Sequence, residues 1–428
     1  MKNNHEKNIL VFLLELISIS PLLIILGNVI PPFPLKVHFI GFGLIFLLCL
    51  WLLVSNPSKK WVIYYAILLT SIQVIAQSTG LKSTLDFFFG PFIFIIFLDI
   101  LSNEKLSIAI LNKYKKRFYF LLWVPISIAT LQYFKFLPLT FWNATYINYA
   151  YIDITPIARP NGLLYHGSEL AILICFMSLN QLFKKEQNSF WTLLSLILIS
   201  VTTYYKSLIG CSILIFIYFL AFVNKGLVSQ IKLFSMQRLI SYSALIITIV
   251  VFFAYHYFTG IHKKTGYYFP PQLLTGRGSI WNIFTDGIQD FSVWQYIFGN
   301  GMGSGVDIFK NYASAKNWYP LTYQSKLTVQ YDAHNALLSL FVNSGISGIL
   351  FFILLFKMLF TQVKKWGNST SWNIRVFVAI TFIPLMTLGI TIPIYDMAIY
   401  WPCLGFLVVE WKTQCIEQTK INENDSSI

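Results

Sequence analysis

The stretch LLSLFVNSGISGILFFILLFKMLF, Leu337–Phe360, decides the fold class, because it is as long as a membrane crossing and Lys357 is its only charged residue. About 20 predominantly apolar residues cross a bilayer as a helix. Similar runs recur along the 428 residues, of which 56% are hydrophobic and 11% are charged. A soluble domain carries about a quarter charged residues. The sequence therefore predicts an all-α polytopic membrane protein and argues against a soluble protein with a large core.

Outward from that stretch in both directions, further apolar segments bring the prediction to about twelve transmembrane helices. The predicted spans are Ile9–Gly27, Val37–Val54, Trp61–Gln77, Leu85–Leu101, Phe118–Phe134, Ser168–Phe183, Phe190–Tyr204, Ser207–Val223, Leu239–Phe258, Leu337–Phe360, Val376–Ile392 and Met397–Trp411. Several are shorter than ~20 residues, so about ten to thirteen spans, with one re-entrant hairpin, also fit the sequence.

These spans divide the chain into five predicted segments. They are residues 1–134 with the first five helices, 135–258 with an external loop and helices six to nine, 259–333 as a large periplasmic loop, 334–411 with the C-terminal helices, and 412–428 as a cytoplasmic tail. A loop as long as 259–333 in a compact protein is usually functional.

Basic residues predict the orientation. One set of connections, on the side of the N-terminus, carries Lys59, Lys60, Lys105, Lys113, Lys115, Lys116, Arg117, Lys184, Lys185, Lys225, Lys232, Arg238, Lys364, Lys365, Arg375 and Lys412. Cytoplasmic loops of membrane proteins are enriched in Lys and Arg, so this side is predicted to be cytoplasmic. The same asymmetry explains much of the formal charge of +14, and no nucleic-acid partner is expected.

The first candidate site is the segment ARPNGLLYHGSE, which begins at Ala158. Pro160 and Gly162 predict a turn before a helix, which would place Arg159 at the external mouth of the bundle. A guanidinium there can hold a phosphate bidentately, or it can snorkel to lipid headgroups. His166 and Glu169 follow near the top of the helix, where ionisable groups are functional candidates, although a structural Glu–Arg pair is an equal alternative.

The second candidate site begins at LTGRGSIW, Leu274–Trp281. Apolar residues on one helical face predict an amphipathic helix lying on the bilayer surface; they are Ile280, Trp281, Phe284 and Ile288. Arg277 would stand at the helix start, where backbone amides also favour anions. Asp286 and Asp290 fit a solvated face better than a carboxylate pair. The glycines of the following segment, Phe298–Gly305, predict a tight turn and a candidate anion-binding nest.

The third candidate site is YDAHNALL, Tyr331–Leu338, which leads into the deciding stretch. The His334 imidazole titrates near neutrality, so it can take a proton from a hydroxyl nucleophile. Asp332 or Asn335 could orient it, and the alternative is a structural histidine at a membrane boundary. Gly345 and Gly348 predict close helix packing.

Together these motifs resemble the O-antigen polymerase and O-antigen ligase superfamily. The resemblance lies in Arg159-Pro-Asn-Gly, Thr275-Gly-Arg277-x3-Trp281, Gly301-x-Gly303 and His334-Asn335 followed by Gly345-x2-Gly348, over roughly residues 155–360. Where that family tends to have Ser-Arg, this chain has Tyr205-Lys206-Ser207, so an anionic contact there would fall to Lys206.

The resemblance implies a GT-C-like glycosyltransferase architecture without a metal or other cofactor. It implies inverting transfer of a glycan from undecaprenyl diphosphate to a sugar hydroxyl at the periplasmic face of the bacterial inner membrane. Arg159 and Arg277 would stabilise the departing diphosphate, and His334 would act as the base. Substrate contacts would come from Asn335, Glu169, His166 and Lys206. The expected partners are the undecaprenyl-diphosphate-linked donor and acceptor, the bilayer and a chain-length regulator.

The expectation from these motifs is an O-antigen polymerase that joins lipid-linked repeat units. An O-antigen ligase, which transfers polymer to lipid A-core, uses the same donor and the same residues. A flippase or transporter of lipid-linked oligosaccharides is the alternative from another class. Transporters place ionisable groups near the bilayer midplane, whereas the candidates here gather at external loop boundaries, which favours an enzyme.

Overall fold

The computed structural model describes residues 2–30, 37–75, 81–139, 148–152, 155–160, 162–164, 167–183, 188–203, 206–222, 277–302, 304–315, 335–366, 370–389, 395, 397 and 399–426. Within these residues the protein is helical apart from one two-stranded hairpin, which confirms the all-α fold class. The predicted span Leu239–Phe258 lies outside the described residues.

Most helices coincide with predicted apolar segments, and α10 to α12 lie within the segment predicted as the large loop. They are α1 (Lys2–Ser18), α2 (Ser20–Val29), α3 (Val37–Ser55), a 3-10 turn (Pro57–Lys59), α4 (Lys60–Ile75), α5 (Leu81–Ser102), α6 (Ile108–Tyr133), α7 (Gly167–Gln181), α8 (Asn188–Thr202), α9 (Lys206–Phe222), α10 (Arg277–Gln289), α11 (Val293–Phe298), α12 (Gly305–Ala315), α13 (Ala336–Val363), α14 (Thr370–Thr387) and α15 (Tyr400–Ser426). Strands β1 (Asn148–Ile152) and β2 (Thr155–Arg159) pair antiparallel between α6 and α7.

Only part of the predicted membrane topology is visible in the helix lengths. Among the described residues, Ala336–Val363 is long and apolar enough to cross a membrane by itself. Two bent pairs meet the same criterion when each is taken together: His5–Ser18 with Ser20–Gly27, and Ile40–Ser55 with Lys60–Ile75. Several further apolar helices are shorter, so the number of spans stays a prediction.

The chain forms two compact units. The larger unit comprises Met1–Leu68, Thr84–Tyr218 and Phe351–Ile428, and the smaller unit comprises Leu69–Ser83 and Phe219–Leu350. In the larger unit, helices α6, α7 and α15 pack together, and α1 and α2 pack both on α6 and on α3. Gly90 and Gly405 allow α5 and α15 to approach closely, because a Cβ at either glycine would overlap the ring of Trp401 or Phe97.

Ion pairs join three distant parts of the larger unit. Lys105 Nζ lies 2.6 Å from Glu6 Oε1 and 2.8 Å from Asp99 Oδ2. Burial lowers the pKa of Lys105, but hydrogen bonds to Asp99 and Glu6 outweigh it, so the net shift of this pKa is upward. Lys115 pairs with Glu410, and both side chains are buried. These contacts join the N-terminal helix to the α5–α6 connection and α6 to α15, and the side of the membrane on which they lie stays a prediction.

The predicted cytoplasmic tail, residues 412–428, is helical up to Ser426, where α15 ends, and its cytoplasmic location stays a prediction. Lys412 fixes the start of this segment, because its Nζ donates to the Leu101 carbonyl at 2.6 Å and lies 3.4 Å from Glu104 Oε1. The helix therefore still packs on the larger unit beyond the end of the apolar run.

The smaller unit has a hydrophobic core of its own beneath α10 and α12. Ile280, Ile283 and Phe284 of α10 pack with Ile308 and Phe309 of α12 and with Val342 of α13. The prediction that α10 lies on the bilayer surface is wrong, because its apolar face packs against protein. Trp281, also predicted for that surface, is 8% exposed.

Candidate functional site

The glycine turn that follows α11 packs against a break in α13. Gly299 has φ +81° and Gly301 has φ +105°, values that favour glycine. Gly345 interrupts α13 with φ 62° and ψ −158°. A Cβ on Gly345 would lie 2.6 Å from the Gly299 nitrogen, and a Cβ on Gly299 would overlap the Asn343 carbonyl group. Two of the sequence motifs therefore meet backbone to backbone, as the prediction of close packing at Gly345 requires.

Gln73, at the end of α4, fixes this contact. Its Nε2 donates to the Phe298 and Asn343 carbonyl oxygens, at 2.8 Å each. Its Oε1 accepts a hydrogen bond from the Met302 amide at 3.3 Å. Gln73 is 1% exposed, so its amide satisfies polar backbone groups that water cannot reach. One side chain thus holds the turn and the broken helix together.

The hydrogen bonds of the turn contradict the anion-nest interpretation for four of its amides, those of Gly299, Asn300, Met302 and Ser304. The Gly299 amide donates to the Gln295 carbonyl, and the Asn300 amide donates to the Val342 carbonyl at 2.8 Å. The Met302 amide is bonded to Gln73, and the Ser304 amide donates to the Gly301 carbonyl. Each of these amides already has a protein acceptor, so the turn is a packing device. Gly303 lies outside the described residues.

An open polar pocket of about 170 Å³ borders the same turn. It is lined by Gly287, Asp290, Phe291, Gln295, Asn300, Asp307, Ile308, Asn311 and Tyr312. Gln295 Nε2 donates to Asn300 Oδ1 at 2.6 Å, and the Tyr312 hydroxyl donates to Asp290 Oδ2. The hydrogen bond to Asp290 raises the pKa of Tyr312 to about 12. The pocket therefore offers carboxylates, amides and aromatic rings within one compact unit.

The predicted general-base region is described from Asn335 onward, and His334 lies outside the described residues. Asn335 caps α13: its Oδ1 accepts hydrogen bonds from the Leu337 amide at 3.0 Å and the Leu338 amide at 2.9 Å. Asn residues favour this position because the first amides of a helix lack intrahelical acceptors. Sequence reasoning assigned Asn335 to substrate, and the structure adds this capping role.

The predicted cationic residues are described by their backbone alone. Arg277 is the first residue of α10, as the sequence predicts. Lys206 is the first residue of α9. Arg159 ends β2, where it pairs with Asn148. Arg277 belongs to the smaller unit, whereas Arg159 and Lys206 belong to the larger one.

The predicted turn after Arg159 is confirmed. Gly162 has φ +61°, and its amide donates to Gln132 Oε1 at 3.1 Å. A Cβ on Gly162 would overlap the Pro125 carbonyl oxygen, so the turn lies tightly on α6. Glu169 stands in the first turn of α7, where a carboxylate interacts favourably with the helix dipole. His166 lies outside the described residues.

Sequence reasoning missed Gln73 and the pocket. A polar amide inside an apolar segment of spanning length is a signal, because such groups are costly in a membrane unless they are bonded. Its partners lie 225 and 270 residues away, and no sequence pattern reveals them.

No protein family model matches this chain, and no curated protein is similar to it at a significant level. The sequence motifs and the geometry therefore carry the functional argument.

Proposed function

We propose that this chain is a surface-polysaccharide polymerase of the O-antigen type, a multi-pass protein of about twelve transmembrane helices. It would join undecaprenyl-diphosphate-linked repeat units at the periplasmic face of the inner membrane. The observation that carries the proposal is the convergence of three motifs in the smaller unit. The Gly299 turn packs on the broken helix at Gly345, and Ile280, just after Arg277, packs in the same core as Val342.

The convergence supports an enzyme because two candidate residues adjoin packed elements of the chain. Arg277 begins a helix whose apolar face is fixed in the core, and His334 immediately precedes the cap of α13. Catalytic groups need such support, since small misplacements of reacting groups are costly in rate. Arg159 is assigned to the diphosphate from its sequence motif alone.

The proposed reaction needs a base and cations. The acceptor hydroxyl oxygen attacks the anomeric carbon of the donor sugar while His334 accepts the hydroxyl proton. The bond between that carbon and the phosphate oxygen breaks, and its electron pair leaves with undecaprenyl diphosphate. Arg159 and Arg277 would stabilise the charge that develops on the diphosphate, a contribution worth roughly a hundredfold or more in rate per group. Attack opposite the leaving group inverts the anomeric configuration.

The polar pocket suits the glycan part of the substrate. Asp307 and Asn311 are exposed on α12 and can exchange hydrogen bonds with sugar hydroxyls. Asp290 and Asp307 place two carboxylates here in a chain of formal charge +14, so the pocket disfavours the diphosphate. We assign it to an uncharged sugar of the repeat unit, with the diphosphate held by the arginines.

The first test uses a strain that lacks this gene, complemented with the wild type, His334→Ala, Arg159→Ala or Arg277→Ala. Surface polysaccharide is resolved by length on a gel, and each variant is quantified in membranes. We expect the deletion to leave core bearing a single repeat unit, and the well-expressed variants to fail to restore the ladder. Arg117→Ala is the matched control, because Arg117 pairs with Glu15 at an exposed position that contributes little stability.

The outcomes separate the alternatives. Polymer that accumulates on its lipid carrier without reaching the core would identify the protein as the ligase. Repeat units that stay on the cytoplasmic face would identify a flippase. Full complementation by all three expressed variants would refute the catalytic assignment. Asp307→Ala with Asn311→Ala should shorten the ladder, and Gln289→Ala, exposed on α10 outside the pocket, should not.

A further inference from the structure

Helix α11 is apolar and yet buries none of its residues in the protein. Val293 is 74% exposed, Trp294 is 70% exposed and Ile297 is 37% exposed. The helix VWQYIF contains no charged residue. The Trp294 ring stacks on Phe298, with centroids 6.0 Å apart, so the exposed indole has a defined orientation.

The caps of α11 stabilise it without covering this face. Ser292 Oγ accepts from the Gln295 amide, Gln295 Oε1 accepts from the Ser292 amide, and Gly299 ends the helix. Such a capping box satisfies the free amides of a helix start. The exposed apolar face is therefore not needed to form the helix, and a cluster of such residues normally marks a contact with a partner or a membrane.

Other exposed apolar residues flank α11 in the same unit. The turn after α11 packs on α13 at Gly345, and the next residue, Ile346, is 48% exposed, as is Leu350 at 54%. Gln73 bonds the Phe298 carbonyl, and it is followed in α4 by Val74 at 49% and Ile75 at 82% exposed. The exposed apolar surface thus continues from α11 onto α13, the helix with the length and composition of a membrane span.

The depth of the contact along α13 favours lipid as the occupant. Gly345 breaks α13, and at about 1.5 Å per residue the helix from Ile346 to Val363 extends roughly 27 Å, close to the ~30 Å hydrocarbon core of a bilayer. Gly345, which packs on α11 at Ile297 and on Gly299, stands at the N-terminal end of that segment. In a spanning helix this end lies at the boundary between headgroups and hydrocarbon, where Trp residues concentrate.

We infer that α11 inserts Val293, Trp294 and Ile297 into the outer interface of the lipid bilayer. The membrane contact of the predicted periplasmic loop is then α11 and not α10. Asp307 and Asn311 of α12 stay in water, so the polar pocket opens close to the membrane surface. The inference concerns bilayer contact alone and holds whether or not the chain transfers glycans.

Spin labels on single introduced cysteines test this contact in the full-length chain. Trp294→Cys and Val293→Cys are labelled, and Asp307→Cys and Asn311→Cys serve as matched exposed positions in the same unit. The native cysteines are all buried, and the labelled wild type gives the background. Each protein is reconstituted into phosphatidylethanolamine and phosphatidylglycerol vesicles, and accessibility is measured to oxygen, which enters lipid, and to a water-soluble nickel complex.

We expect the oxygen-to-nickel ratio at positions 293 and 294 to be several-fold higher than at 307 and 311. Equal ratios at all four positions would overturn the inference, because α11 would then face water. Labels at 293 and 294 that neither reagent reaches would also overturn it, since protein would cover the helix. The two α11 variants are independent, so misfolding of one leaves the other to decide.

Discussion

The two units differ in whether charged side chains take part in the buried polar contacts that the structure describes. In the larger unit they do, beside neutral bonds such as that of the Gly162 amide to Gln132: Lys115 pairs with Glu410, and Lys412 Nζ donates to the Leu101 carbonyl. In the described part of the smaller unit the central contact is neutral, because the Gln73 amide bonds the backbone around the Gly299 turn. A buried charge loses far more than a neutral group when its partner is removed. Loss of a partner should therefore cost more stability at the charged contacts of the larger unit than at the neutral contact beside the proposed site.

Among the variants that test this difference between the units, Glu410→Ala is expected to lose the most stability. Replacement by Ala leaves Lys115 buried without its carboxylate partner, and breaking such a pair costs about 3–5 kcal/mol. We expect Glu410→Ala to lose most of its folded yield and to aggregate at a lower temperature in detergent, as followed by size-exclusion chromatography. The double variant Lys115→Met with Glu410→Leu should recover most of the loss, because an apolar pair removes both charges. A double variant as unstable as the single one would show that the charge itself is not the cause.

The next largest loss of stability is expected for Gly299→Ala in the smaller unit. Ala at φ +81° is strained, and its Cβ would overlap the Asn343 carbonyl, so we expect a cost of about 3 kcal/mol. Polymer length and protease resistance of the smaller unit should both fall in Gly299→Ala. Gly43→Ala is the control, since a Cβ there meets nothing within 4 Å and Ala favours the α3 helix. Equal behaviour of the two variants would contradict the packing of the turn on α13.

A smaller loss of stability is expected for Gln73→Leu. Leu fills the space but leaves the Met302 amide and the Phe298 and Asn343 carbonyls without this partner, a penalty of about 1–3 kcal/mol for each buried group that stays unsatisfied. We expect Gln73→Leu to fold, because the larger unit is untouched, and to build polymer more slowly at unchanged membrane abundance. Gln289→Leu, exposed on α10, should retain the wild-type rate. Unchanged polymerisation in Gln73→Leu would show that the hydrogen bonds of Gln73 are not needed for the proposed activity.

Local sequence patterns could predict the helices and the glycine turn, but not the contacts between distant segments. Apolar runs such as Leu85–Leu101 and Leu337–Phe360 mark α5 and α13 because a helix satisfies its backbone locally. The glycine turn was predictable from its spacing. The burial of the α10 face was not, because an amphipathic pattern reads the same against lipid as against α12 and Val342. The partners of Gln73 and the pocket depend on contacts between distant segments, which local patterns do not encode.

The smallest effect on stability is expected at high pH and comes from Tyr312 in the pocket. The hydrogen bond to Asp290 raises the pKa of Tyr312 to about 12, whereas a free tyrosine titrates near 10. The folded protein therefore keeps this proton where the unfolded chain loses it, and the stability it contributes is complete below about pH 10 and is lost as pH rises toward 12. The group is partly exposed, so solvent screening keeps the effect small. Thermal unfolding of the wild type and Tyr312→Phe, compared from pH 9 to about pH 12, should show a slightly steeper alkaline loss in the wild type. Parallel curves would mean that the hydrogen bond to Asp290 does not persist in solution, and the Tyr312 side chain would then not be held in place at the pocket.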